Sequence, residues 1–353
     1  MRRWAVRQIC IDCEGPLTRN DNALEVSEYF IPQGERFFSL ISRYDDFLAD
    51  VIKRKGYKAG TTLSLILPFL KAYGATNQGI REYSASHLLL IPGAKETLSH
   101  LNKKMPTFII STSYQPYIEA LCDFVGFPVE NTYSTFLDLD RYQISFEETR
   151  KLKVLLQEIL KLPLIDLSGV RKKEDLSPST KRTIRRLEEV FQEEIPSLEC
   201  GKIIKETRPI GGMEKAKAVV DSLKGREISQ VMYVGDSITD VEVLRLVNEG
   251  GGISISFNGN SYALKVAQIA CISPHTLPLE ILGEVFCAEG KKGVLKVAKN
   301  WPQSLKEKLR KKLTPISPYP RVEILINENL ERLTKESERI RRKVRGEAVG
   351  SLG

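Results

Sequence analysis

Short apolar runs rich in β-branched residues alternate with longer amphipathic stretches along two separated parts of the chain. The first run, residues 6–11, reads as a buried strand. Over residues 20–60 the spacing is helical instead, carried by Leu24, Tyr29, Phe30, Phe37, Phe38, Ile41, Phe47, Leu48 and Val51. Residues 61–73 and 77–86 predict two further helices. From Pro92-Gly93 the pattern becomes regular: a helix at 94–104, a strand at 107–110, a helix at 114–125 stopped by Gly126 and Pro128, and a strand at 131–137. Two charged helical stretches follow, 146–160 and 179–194. Alternation then resumes with a helix at 213–223, a strand at 230–234, a helix at 241–247, a strand at 253–257, a helix at 261–267 and a strand at 269–272. Beyond Lys291 the chain reads as helical and basic, and residues 321–345 predict one amphipathic helix with Val322, Ile326, Leu330, Leu333, Ile340 and Val344 near one stripe. Residues 348–353 are expected to fray.

Strands alternating with helices imply parallel βαβ units. The fold class expected is therefore α/β: a Rossmann-like parallel sheet flanked by helices. Its core is drawn from residues 1–20, 88–137 and 200–288. A helical cap, 21–87, and a second helical insertion outside the sheet, 138–199, interrupt it. A basic helical extension, 289–353, follows.

Composition narrows the function classes. The chain has 353 residues, 42% hydrophobic and 28% charged, as expected of a soluble globular protein. No apolar run approaches a membrane span, and the N-terminus leads into a strand without a signal-peptide pattern. Six scattered cysteines give no disulfide framework, so a cytoplasmic location is expected. Cys10 and Cys13 lack a second pair, and His87, His100 and His275 lie in no ligand spacing, which argues against a zinc site or a Ser-His-Asp triad. From Ala288 onward there are 17 Lys/Arg against 8 Asp/Glu, whereas the rest of the chain holds 36 against 37. The positive charge thus belongs to the tail. Aromatic residues do not interleave with it, so nucleic-acid binding is not expected. Packing on its own domain, self-association and a protein partner remain as its roles.

Two acidic strand ends carry the candidate chemistry. Asp12 and Glu14 follow the first strand and precede the Gly15-Pro16 turn. At the carboxyl edge of an open α/β sheet they can hold a hard cation, or serve as nucleophile and acid/base, or simply form a turn. Gly235-Asp236-Ser237-Ile238-Thr239-Asp240 repeats the arrangement, with Asp240 four residues after Asp236 on a helical turn. Together they imply an oxygen-lined Mg²⁺ site. Ser111 and Thr112, at a third strand end, can meet a phosphate. Lys215 can bind another of its oxygens, with Lys217 as the substitute if the helix is rotated. Asp138 and Asp140 lack the Gly-Pro turn and read as a solvated turn.

In this order the motifs resemble those of the haloacid-dehalogenase (HAD) superfamily, in its phosphoserine-phosphatase-like branch. Asp12-Cys13-Glu14-Gly15 resembles the first motif, Ser111 the second, Lys215 the third and 235–240 the fourth. The Asp-Cys-Glu-Gly-Pro-Leu-Thr stretch and the doubled insertion also resemble an archaeal HAD family named predicted archaeal sugar phosphatase or energy-converting hydrogenase A subunit R. The resemblance implies a Mg²⁺-dependent phosphatase acting on a small phosphorylated metabolite. Asp12 would be nucleophile and metal ligand. Glu14 would touch the metal through its carbonyl and act as acid/base through its side chain. Asp236 and Asp240 would lie at the metal, and Ser111, Thr112 and Lys215 would hold the phosphoryl group. A weakly active or inactive HAD-fold subunit working through a partner, and a phosphotransferase or phosphomutase, are the alternatives. One departure stands out: the family usually carries Asp where this chain has Glu14, which moves the carboxyl by about 1.5 Å.

Overall fold

The computed structural model describes residues 7–53, 57 and 60–350. Val6 of the first predicted strand, residues 54–56 and 58–59, and residues 351–353 of the predicted frayed end lie outside them.

Seven strands form one sheet in the order β3-β2-β1-β4-β5-β6-β7. They are β1 (Gln8–Ile11), β2 (Thr107–Tyr114), β3 (Thr132–Thr135), β4 (Val231–Gly235), β5 (Ile253–Phe257), β6 (Ile269–Ile272) and β7 (Arg321–Ile324). The first six are parallel, and β7 runs antiparallel to β6. β1 shows why the sheet needs two covers. Ile9 and Ile11 point to one face and Cys10 to the other, and all three are buried. The helix Ala94–Lys104 and the helical segment Leu277–Lys299, which breaks at Gly290, cover the Ile9/Ile11 face. Met213–Ser222 and Val241–Glu249 cover the Cys10 face. The sheet is thus α/β and mostly parallel, flanked by helices as the alternation predicted.

The tail differs from its prediction. Residues 321–345 are not one helix: Arg321–Ile324 is a strand, and the helix is Asn327–Arg345. Arg-Val-Glu-Ile alternates with the period of a strand, and its pairing with β6 covers a sheet edge that would otherwise expose unpaired backbone groups. Val322 is buried against the sheet. The helix packs Leu333 and Ile340 on Ala270 and Ile272 of β6.

Two stretches far apart in sequence share a single apolar core above the sheet. Leu24, Phe37, Tyr44, Phe47 and Phe69 pack with Leu152, Leu156, Ile184, Leu187 and Phe191. Tyr44 stacks on Phe191 with ring centroids 6.0 Å apart. Each stretch supplies part of the wall of this shared core. The Asp138-Leu139-Asp140 segment is not merely solvated: Asp138 Oδ1 accepts from Asn77 Nδ2 and Asp140 Oδ2 from Asn77 N, at the start of the helix Asn77–Ser86.

Candidate active site

β1 and β4 are neighbours, so their carboxyl ends deliver Asp12 and Asp236 side by side. The backbone N–H of Asp12 donates to the Val234 carbonyl at 2.9 Å, which fixes the relative height of the two ends. Gly15 turns the chain just past β1 with φ +103°, and a Cβ there would lie 2.2 Å from Asp236 Oδ2. Only glycine permits both the turn and the close approach.

Asp12, Asp236 and Asp240 each offer a carboxylate oxygen within 4.8 Å of the others, and all three are buried. Lys215, fully buried on the helix Met213–Ser222, bridges two of them: its Nζ donates to Asp12 Oδ2 at 2.6 Å and to Asp240 Oδ1 at 2.8 Å. Lys217 points away and pairs with Glu214. Asp240 uses both oxygens within the protein. Oδ1 also accepts from the Tyr233 hydroxyl at 2.7 Å, and Oδ2 accepts the backbone N–H groups of Asp236 and Ser237. Asp240 therefore ties the turn after β4 to Lys215.

These contacts set the protonation states. Burial raises the Asp12 carboxyl well above its usual range, the Asp240 charge adds to this, and Lys215 opposes it. Burial would raise Asp240 as well, but the Lys215 ion pair and the hydrogen bonds from Tyr233 and Asp236 hold it below the ordinary value. Burial works against the Lys215 charge, yet its two carboxylates keep the ammonium above its ordinary value. Burial pushes Glu14 up to about 8, aided by the Asp21 charge and opposed by a hydrogen bond from Asn22.

Above the carboxylates lies a cavity of about 110 Å³. Its floor includes Asp12, Glu14, Asp236, Ser111 and Thr112, and its roof includes Phe38, Ser42, Asp45, Asp46 and Leu63. Among the described residues, none of 138–199 lines it. Ser111 Oγ exchanges hydrogen bonds with Ser113. Thr112 Oγ1 is buried at the cavity without a hydrogen-bond partner among the described residues, a donor left for a ligand. Gly60 lets the roof descend, since a Cβ there would sit 3.0 Å from Thr112 Cγ2. Glu14 Oε1 accepts the Asn22 N–H at 2.7 Å, at the start of the first roof helix, Asn22–Phe30.

The sequence reading missed four residues here. Tyr233 hides inside a buried strand, and Asp21 both caps the first roof helix and lines the cavity. The other two come from the tail. Arg341, buried on the helix Asn327–Arg345, ion-pairs with Asp236 Oδ2 through Nη1. Arg345 Nη1 lies 3.5 Å from the same oxygen. A signal did exist: Leu333, Ser337, Arg341 and Arg345 recur every four residues, so the arginines continue the line of a buried leucine.

The donor set consists of oxygens, and Asp12, Glu14, Asp21, Asp236 and Asp240 together outnumber Lys215, Arg341 and Arg345. An all-oxygen donor set in a buried site fits a hard divalent cation. Cys10 and Cys13 sit below the site as buried thiols, and burial raises both, Cys10 to about 12.

The molecule is thus a mostly parallel α/β protein with an acidic, lysine-bridged site at the carboxyl edge of its sheet, beneath a helical roof. It is similar over its whole length to gene product AF1437 from Archaeoglobus fulgidus, at 29% identity and TM-score 0.80, with 99% of each chain covered. Phosphoserine phosphatase in its apo form also matches, at 12% identity and TM-score 0.40 over 75% of this chain and 92% of that one. So does a phospho-aspartyl intermediate analogue of phosphoserine phosphatase, at 12% identity and TM-score 0.37 over 76% and 93%. No family model and no curated protein matches the chain. Among the described residues, no helix is long and apolar enough to cross a membrane.

Proposed function

We propose that the protein is a Mg²⁺-dependent phosphomonoesterase of the HAD type, acting on a small phosphorylated metabolite through an aspartyl-phosphate on Asp12. One observation carries this reading: Lys215 bridges Asp12 and Asp240 while Asp236 stands within ligand distance of both, at two adjacent strand ends. Phosphoryl transfer needs such a nucleophile, with charge-neutralising groups fixed around it beforehand.

In this reading an Asp12 oxygen attacks phosphorus and the bond to the leaving alcohol breaks. Glu14, at the edge of the cavity, gives its proton to the departing oxygen. Glu14 then takes a proton from water, whose oxygen attacks phosphorus, and the Asp12–phosphorus bond breaks to release phosphate. Thr112, Ser111 and Lys215 receive the phosphoryl oxygens. Asp12, Asp236 and the Glu14 carbonyl would hold Mg²⁺, with Asp240 oriented behind them. The ion supplies charge neutralisation for the phosphoryl group. Residues 21–87 act as the cap that excludes water over a core of 1–20, 88–137 and 200–288, and 138–199 buttress the cap.

The test is phosphate release from a panel of phosphomonoesters, with and without Mg²⁺, for wild type and Asp12→Asn. Metal-dependent release that vanishes in the variant supports the reading. Absence of release by wild type across the panel overturns it.

A further inference from the structure

The C-terminal helix does more than cover an edge. Leu333 and Ile340 pin it on the sheet, and Ser337 Oγ donates to the Gly259 carbonyl at 2.6 Å. From that anchored face Arg341 and Arg345 reach the candidate site. Arg341 Nη1 meets both the Asp236 carboxylate, at Oδ2, and the Asp236 carbonyl, at 3.3 Å. Gly15 stands against the same Oδ2. The side-chain hydrogen bonds described for the Asp236 carboxylate all fall on this walled oxygen, which leaves Oδ1 for a cation.

Arg345 has a second attachment. Its Nε donates to the Arg19 carbonyl at 3.2 Å and its Nη2 to the Asn20 carbonyl at 2.5 Å. Arg19 and Asn20 link β1 to the first roof helix. The chain comes back from the roof beside them: Asn20 Nδ2 donates to the His87 carbonyl, the Leu89 N–H donates to Asn20 Oδ1, and the Arg19 N–H donates to the Leu89 carbonyl. One guanidinium therefore touches the acidic site and the double crossing between core and roof.

We infer that Arg341 and Arg345 are positioning residues. Arg341 fixes Asp236 by one oxygen so that the other is presented to the metal, and Arg345 ties that carboxylate to the hinge of the roof. The Arg341 role rests on the metal-dependent reading of the site; the Arg345 role does not. A guanidinium that merely competed with the cation would have to withdraw when the site fills. Arg345 is held by two carbonyls, and the helix is held by its own apolar core and by β7. The anchoring is that of a fixed brace. Charged groups hydrogen-bonded behind a metal-binding carboxylate orient it, and losing one typically weakens metal binding about 10- to 100-fold.

The experiment measures Mn²⁺ affinity by electron paramagnetic resonance, without substrate, in wild type, Arg341→Ala and Arg341→Lys matched for folding by circular dichroism. The expected result is affinity about 10- to 100-fold weaker in Arg341→Ala, partly restored by methylguanidinium, with Arg341→Lys in between. Unchanged or tighter binding overturns the inference, and tighter binding would identify the guanidinium as a competitor. Hydrogen exchange reads Arg345 separately. In Arg345→Ala, amides of residues 17–21 and 87–91 should exchange faster while the sheet keeps its protection; unchanged exchange there overturns the hinge role. If wild type binds no Mn²⁺, the metal-dependent function and the Arg341 role both fall, and the exchange result still decides Arg345.

Discussion

Glu14 shows how one methylene changes what a residue does. The sequence reading treats it as a longer replacement for aspartate. In the structure its extra length reaches the Asn22 N–H at 2.7 Å and closes the N-terminus of the first roof helix. Glu14→Asp should forfeit that hydrogen bond, costing about 1 kcal/mol, and the Asn22 amide should exchange faster with solvent. Lys215 is the opposite case, a residue whose neighbours leave no slack. Lys215→Met strands two buried carboxylates, and urea unfolding at neutral pH should show a loss of about 3–5 kcal/mol. Because its folded-state pKa is raised, the ammonium stabilises the wild type fully below its ordinary 10.5, and that contribution fades as pH climbs through the higher folded-state value. Asp46 in the roof carries a cost instead. Burial, then the Asp45 charge, raises it from 3.8 to about 7. Its protonated form therefore favours the fold below pH 3.8, and that advantage disappears as pH rises through about 7. Asp46→Asn should be more stable than wild type at pH 8, by about 1–3 kcal/mol in urea titrations, and nearly equal to it at pH 4.

At the scale of elements, the site depends on strand ends and on how closely they approach. Gly15→Ala places a methyl group on Asp236 Oδ2 at a positive φ. It should both destabilise the protein and abolish metal-dependent phosphate release, with circular dichroism separating the two effects. The last strand and helix act as one unit, since β7 sets the height from which Asn327–Arg345 starts. Leu333→Ala, in the small core beneath that helix, should cost about 2–5 kcal/mol and should also weaken Mn²⁺ binding. The split of the predicted 321–345 helix follows from this pairing. An exposed edge on β6 rewards four alternating residues for joining the sheet, and a helical periodicity read along the chain alone cannot register an edge it has not yet met.

At the scale of the whole molecule, the roof is one apolar body built from two stretches far apart in sequence. Phe191 belongs to the later stretch, yet it packs on Tyr44 and Phe69 of the earlier one at 6.0 and 6.2 Å. Phe191→Ala should lower stability by about 3–5 kcal/mol. Hydrogen exchange should show amides near Phe37–Phe47 and Leu152–Leu160 losing protection together, whereas independent roofs would lose it separately. The basic tail likewise changes meaning in the assembled molecule. Its net positive charge reads along the chain as a surface property, but Arg341 and Arg345 are directed inward, against the Asp236 carboxylate more than 100 residues upstream.

Much of this was legible because it is local. Short apolar runs set β1, β4 and β5, and the ends of the first two fixed where Asp12, Glu14, Asp236 and Asp240 emerge, since a strand that must be buried delivers the next residue to the edge of its sheet. Lys215 was legible from its helix, and Lys217 could be set aside only once that helix was packed. The rest was decided by what met across the sheet. Glu14's hold on the roof, the single core shared by two distant stretches, the strand β7 and the arginines on Asp236 are contacts between segments that the sequence keeps apart. A local pattern states which face of an element seeks a partner, and only the closed tertiary structure supplies the partner.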